Sequence, residues 1–223
     1  PELCFDVVTS LLYVDRRGAP ENRQLGFDTA DKVALLRASA DVGRSSRGRC
    51  WITEVNWPLW EGPHSPAGKT VSVGEEEQAD YLVRYYLMVL GTGLVERVFW
   101  WRLIARGYGL VSPNYDGSLR RRPVWDALRT LTGQVEGATF EGPLPAPEGA
   151  YLYHFKHGDQ ELVVGWSVSG RAKAVLPRPP SEALSRDGHP ISVTDGVDVD
   201  LAEDGHDALV GEHLEARDVA RVR

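Results

Sequence analysis

Three times in its first 135 residues the chain passes from a short apolar run into an amphipathic helix, and this alternation restricts it to folds in which parallel strands are covered by helices. The first strand reads from Phe5 to Tyr13. Asp28 then stands where it can cap a helix from about Thr29 to Ala40, with Val33, Leu36 and Ala40 on one face. The second strand is Cys50-Trp51-Ile52-Thr53-Glu54-Val55, followed by Asn56-Trp57-Pro58, whose proline cannot continue a ladder. Its helix opens on Glu75, Glu76 and Glu77, in first-turn positions where the helix dipole favours acids. Ala79, Leu82, Val83, Tyr86, Val89 and Leu90 make the buried stripe, and Gly91 ends it. Leu94 to Trp101 is the third strand, and Pro123 starts a third helix with Val124, Ala127, Leu128 and Leu131 as its apolar face.

Two architectures use such units, an open doubly wound sheet and a closed eight-stranded barrel. The open sheet normally carries a glycine-rich phosphate turn between strand and helix. The nearest candidate, Gly91-Thr92-Gly93, joins a helix to the following strand and lacks the third glycine, so it reads as a helix terminator. All the long loops follow strands, whereas the returns from helix to strand are short; a barrel with its site at the carboxyl ends of the strands produces that asymmetry. After Gly133 the pattern changes. Gly142-Pro143-Leu144-Pro145-Ala146-Pro147 marks residues 136–149 as a linker. Residues 150–211 hold short strand-like runs, Ala150 to Phe155, Glu161 to Trp166, Ala172 to Leu176, Ile191 to Thr194 and Val197 to Leu201, which predict an antiparallel sheet or small sandwich. Residues 212–223 read as a charged tail. The abrupt entry from Pro1 into a strand predicts a fragment or a processed chain.

Composition narrows the partners. With 42% hydrophobic and 26% charged residues, the 223-residue chain can build a core and reads as soluble. The net charge of -7 argues against nucleic acid, the compact basic cluster Arg120-Arg121-Arg122 standing just before a helix start. No apolar run reaches the roughly 18 residues of a membrane span, and no membrane partner is expected. Two cysteines, Cys4 and Cys50, are too few for a disulfide framework. His154 and His157 flank a hairpin turn without a nearby third ligand, so neither a metal nor a cofactor is expected. Seven tryptophans and eight tyrosines suit a carbohydrate partner, because aromatic rings stack on the apolar faces of sugars; core packing is the other use of such residues.

A carboxylate at the exit of an otherwise buried strand is costly unless something there needs a charge, which makes Glu54 the candidate catalytic residue. The alternative is a buried salt bridge with an arginine such as Arg102. Tyr13, at the end of the first strand, can hydrogen-bond such a carboxylate or simply pack beneath its loop. Asn56 shares a face with Glu54 and can donate to a hydroxyl. Trp57, Trp60 and His64 lie on the long loop after the Glu54 strand, where they line a groove or face solvent. Trp100 shares a face with Val98 and serves either as an inward sugar platform or as core, with Trp101 then facing the helices.

Together these residues resemble a known family. Trp51-Ile52-Thr53-Glu54-Val55-Asn56-Trp57-Pro58 resembles the seventh-strand motif of retaining (β/α)8-barrel glycoside hydrolases of the clan that includes β-xylosidase-like and cellulase-like enzymes, whose matching glutamate is the nucleophile. Val98-Phe99-Trp100-Trp101 resembles the eighth strand, with its tryptophan flooring the sugar site. Tyr108-Gly109-Leu110-Val111, Asp116-Gly117 and Arg122 to Leu128 are similar to the hairpin and last helix that close such barrels, and Phe5 to Tyr13 is similar to the sixth strand. The resemblance covers about residues 1 to 135 and implies an α/β fold: a partial (β/α)8 barrel, equivalent to strands six to eight with their helices, followed by a small antiparallel β-sandwich-like domain. It implies a retaining glycosidase with Glu54 as nucleophile, contacts to substrate from Tyr13, Asn56, Trp57 and Trp100, and a carbohydrate substrate. Two departures accompany it. The family's acid/base glutamate follows an asparagine on the fourth strand, but no Asn-Glu pair occurs here, so the isolated chain is expected to be inactive. The family's sixth strand ends in His-x-Tyr, where this chain has Leu11-Leu12-Tyr13. Glu61, Glu21 and Asp15 are loop acids that can be considered for the missing role, or are simply solvated.

Overall fold

A computed structural model describes residues 5–14, 18–42, 48–61, 71–176, 178–191, 198–201 and 209–213. In chain order the elements are β1 (Val8–Leu11), α1 (Thr29–Asp41), β2 (Cys50–Val55), α2 (Glu75–Leu90), β3 (Arg97–Trp100), β4 (Val111–Pro113), β5 (Leu119–Arg121) and α3 (Pro123–Val135). They continue with β6 (Thr139–Pro143), β7 (Ala150–His157), β8 (Gln160–Ser167), β9 (Ala172–Val175), β10 (Glu182–Leu184), β11 (Asp198–Leu201) and β12 (Leu209–His213). The fold is mixed α/β, and the chain divides into two compact units, Pro1–Trp125 and Asp126–Arg223. The division falls inside the first turn of α3, earlier than the boundary expected after residue 135.

In the first unit, β1, β2 and β3 lie side by side in that order, all parallel, with α1 and α2 as the crossovers. Asp28 caps α1 through a reciprocal box: its carboxylate accepts from the Asp31 N–H at 3.0 Å, and the Asp31 carboxylate accepts from the Asp28 N–H at 3.1 Å. Val33, Leu36 and Ala40 of α1, with Tyr85 and Val89 of α2, pack against Cys50, Ile52 and Val55, which turn the same face of β2 toward the helices. The opposite face of the sheet carries Leu11 and Phe99, 57% and 43% exposed, together with half-buried Trp51. A parallel sheet is ordinarily covered on both faces; the described residues cover one.

α2 is buried over more than the predicted stripe. Gln78 and Arg84 sink into it because each finds a partner: the Gln78 amide donates to the Trp57 carbonyl at 2.6 Å, and Arg84 grips the Glu21 carboxylate with two donors at 2.8 and 2.5 Å. A paired charge can be buried where a lone one cannot.

The second unit is antiparallel: a five-stranded sheet in the order β10-β12-β8-β7-β6, plus the pair β11-β9. Ala174 of β9 and the following Leu176 pack with Leu152 and Val163 of the larger sheet. Two expectations need correction. The supposed linker contains β6, which pairs with β7 because Phe140 packs on Tyr153 and Phe155, with ring centroids 5.3 and 5.2 Å apart; a register slip at Gly142, φ 139°, and then Pro143 end it. The supposed tail begins inside β12, whose Glu212 and His213 extend the backbone ladder opposite Glu161 and Gln160. Residues 192–194 of a predicted strand, and residues 214–223, lie outside the described residues. No helix is long and apolar enough to cross a membrane, among the described residues.

Candidate active site

The site begins with an irregularity in β2. Opposite β1 the register runs Ser10 to Ile52 and then Leu11 to Glu54, and opposite β3 it runs Ile52 to Val98 and then Val55 to Trp100. Both neighbours skip one residue at Thr53-Glu54, so β2 carries a bulge read from both sides. Strict alternation would send Glu54 after Ile52 toward the helices and Val55 away from them. The extra residue returns Val55 to the helix-side core, fully buried, and releases Glu54 from it to a half-buried position. The local chain thereby avoids burying a charge among Ile52, Val33 and Leu36.

Tyr13 completes the pair. Its hydroxyl donates to Glu54 Oε1 across the end of β1, and the preceding backbone is fixed by the Leu12 N–H donating to the Glu54 carbonyl at 3.3 Å and by Tyr85 Oη donating to the Leu12 carbonyl at 2.6 Å. Burial pushes the Tyr85 phenol far above its ordinary value, so it remains a donor. Among the described residues Glu54 makes no ion pair. Arg102, the partner considered from sequence, donates to the Ile104 carbonyl at 3.0 Å and lies over the Trp101 ring instead.

The structure redistributes the aromatic candidates. Trp57 is fully buried, its indole N–H donating to the Gly18 carbonyl at 2.9 Å and its ring packed on Tyr81, Tyr85 and Trp100. A ring enclosed in this way has no face for a sugar. Trp100 follows Val98 into the helix-side cluster, stacked on Trp57 with centroids 6.2 Å apart. The alternation of β3 then places Trp101 in the open, 36% exposed and braced edge-on by Tyr108 at 5.3 Å. Trp100 thus takes the core alternative of the two considered from sequence, and Trp101 does not face the helices. Asn56 is 2% exposed, and its amide donates to the Trp101 carbonyl at 2.6 Å, so it serves the backbone that carries Trp101. Trp60 is exposed, while Asp15 and His64 lie outside the described residues.

Other loop acids are occupied. Glu21 is held by Arg84 and Glu61 by Arg122, a residue that sequence reasoning passed over as part of a basic cluster. Arg122 is 1% exposed and donates to Glu61, Glu75, Ser112 and the carbonyls of Ala105 and Gly109. It ties the segment after β2, the start of α2 and the segment after β3 together. Arg120 also pairs with Glu75, whose carboxyl is held below its ordinary value chiefly by that hydrogen bond, against the opposing effect of burial. The basic cluster is therefore largely spent internally. In the second unit His154 lies 3.4 Å from Glu161 on the neighbouring strand.

No family model and no curated protein sequence matches the chain. Solved structures do. A family 39 glycoside hydrolase from Bacteroides cellulosilyticus, 16% identical, superposes with a TM-score of 0.67 over 91% of this chain and 43% of its own. A conserved exported protein from Bacteroides fragilis, 11% identical, reaches 0.54 over 82% of this chain and 43% of its own. A GH30 endoxylanase from Clostridium papyrosolvens, 12% identical, reaches 0.52 over 84% and 47%. At such identities the likeness shows a glycoside-hydrolase-like fold, and the chain spans less than half the length of each of these structures.

Proposed function

We propose that this chain is the C-terminal part of a retaining glycoside hydrolase and that Glu54 is its nucleophile. The observation that carries the reading is the Glu54–Tyr13 pair at the carboxyl end of the central parallel strand. There a bulge turns the carboxylate out of the core, and a tyrosine just past the end of the adjacent strand orients it. In double displacement the carboxylate attacks the anomeric carbon, forming a glycosyl-enzyme ester as the glycosidic oxygen departs with a proton from a second carboxylic acid about 5 to 5.5 Å away. That second group then takes a proton from the water that releases the sugar. Tyr13 holds one oxygen of Glu54 and leaves the other for attack. Trp101, rather than Trp100, offers an exposed ring beside this end of the sheet.

No loop acid among the described residues is put forward as the partner acid. Glu21 and Glu61 are each committed to an arginine, and this supports a missing proton donor and an inactive isolated chain. The uncovered sheet face with Leu11 and Phe99, the absence of any further strand beside β1 or β3 among the described residues, and the share of each solved structure that the chain spans all support a partial barrel, to be closed by further strand-helix units. A 2-fluoroglycoside that traps the ester tests the assignment on a protein that contains both this chain and those units. Mass labelling should map to Glu54 and vanish in Glu54→Gln; persistence of the label in that variant refutes it. A second reading, a non-catalytic carbohydrate-binding or interaction protein on a degenerate barrel, is favoured by Leu11, which occupies the position of the family's histidine and is exposed. Under that reading Glu54→Gln leaves binding intact and no label forms.

A further inference from the structure

The segment that follows β3 builds a feature that double displacement does not use. β4 and β5 pair as a hairpin with the three-residue loop Tyr115-Asp116-Gly117. The Asn114 N–H donates to the Ser118 carbonyl at 2.8 Å and the Gly117 N–H to the Asn114 carbonyl at 3.1 Å, with Gly117 at φ 83°, as this loop type requires. The Asp116 carboxylate accepts from the Ser118 N–H at 2.9 Å and from its hydroxyl at 2.7 Å, and the Asn114 amide donates to the same hydroxyl at 2.8 Å. This rigid tip presents Tyr115 at 89% exposure. The Arg106 guanidinium carbon lies 4.0 Å from the ring centroid and covers one face.

Arg106 comes from a different piece of backbone. Its neighbour Ala105, and Gly109, accept from buried Arg122, and Gly107 accepts from the Leu59 N–H at 2.7 Å. Gly109 is packed so closely that a Cβ there would stand 2.4 Å from the Ala105 nitrogen. Two separately fastened segments thus bring ring and guanidinium together. One leads directly from the carboxyl end of β3, and Leu59 lies just past the end of β2, where Glu54 is found.

We propose that Tyr115 and Arg106 form a carbohydrate subsite outlying the Glu54 site, which binds one pyranose of an extended neutral glycan. The proposal rests on the carbohydrate reading above and deepens it, from a glycoside to a polymer. The open face of the Tyr115 ring stacks on the apolar C–H face of the sugar, and Arg106 donates to its hydroxyls. A ring already pinned from behind loses little freedom on binding.

Affinity electrophoresis of the 223-residue chain tests it, in native gels that contain arabinoxylan, mixed-linkage β-glucan or galactomannan. At least one polysaccharide should retard the chain. Tyr115→Ala should abolish the retardation, and Arg106→Gln should weaken it about threefold, the worth of an exposed guanidinium contact. Both side chains are exposed, and circular dichroism verifies that the fold is unchanged. Leu35→Ala, at an exposed apolar position on α1, should bind as the parent does, and retardation requires no turnover, so the subsite is read independently of the nucleophile. Retardation by none of the three, or full retardation of Tyr115→Ala, overturns the proposal.

Discussion

Replacing Arg122 with methionine should be among the most damaging single changes in the first unit. The guanidinium donates to five acceptors: two carboxylates, two backbone carbonyls and one hydroxyl. Methionine preserves most of the stem packing, so the loss isolates the polar contacts. The carbonyls of Ala105 and Gly109 and the Ser112 hydroxyl lose a charged donor, at about 1 kcal/mol each. Glu61 and Glu75, whose side chains are 27% and 31% exposed, regain water and cost less than carboxylates left dry. The sum is about 3 to 4 kcal/mol, at the lower end of the cost of breaking a buried ion pair. Urea titration followed by tryptophan fluorescence reports chiefly on this unit, which holds six of the seven tryptophans. With a slope of about 2 kcal/mol/M, the midpoint should fall by about 1.5 M. Arg122→Lys should recover less than half of this, because one ammonium cannot span acceptors on three segments. A midpoint shift below about 0.5 M in Arg122→Met would refute the reasoning.

Two further perturbations test the core and the electrostatics. Trp57→Ala should cost about 3 to 5 kcal/mol in the same titration, as truncation of a large buried aromatic does; a near-neutral result would show that the ring is not enclosed by Tyr81, Tyr85 and Trp100. Glu75 has a folded pKa depressed below the ordinary 4.5, so its contribution is complete above that value and is lost as pH falls through the folded pKa. Glu75→Gln should therefore be less stable at neutral pH and lose stability less steeply below about pH 4.5. Parallel acid limbs for the two proteins would contradict the Arg120–Glu75 pairing.

Much of the architecture was legible because it rests on periodicity. Asp28 before Thr29, three glutamates before Gln78, and Pro123 before Val124 mark helix starts, and α1, α2 and α3 begin at or within a residue of those points. The parallel order of β1, β2 and β3 followed from the helices between them. The hairpin of β7 and β8 followed from the His157-Gly158-Asp159 turn. β6 and β12 were missed because their pairing depends on strands distant in sequence, and Pro143 looked like a linker residue rather than the end of a strand.

What the sequence alone determined about this protein is its strand-helix alternation, the antiparallel character of its last strands and the presence of one acid in an apolar strand. These depend on local pattern: side-chain period, caps and turn residues act over a few positions. Tertiary structure decided where that acid points and what surrounds it. The bulge at Thr53-Glu54 arises from register with two other strands, Trp100 packs in the helix-side cluster while Trp101 lies exposed, and Arg122 is buried because acceptors from separate segments converge on it. No local pattern encodes convergence, since each partner looks like an ordinary surface residue until the chain brings them together.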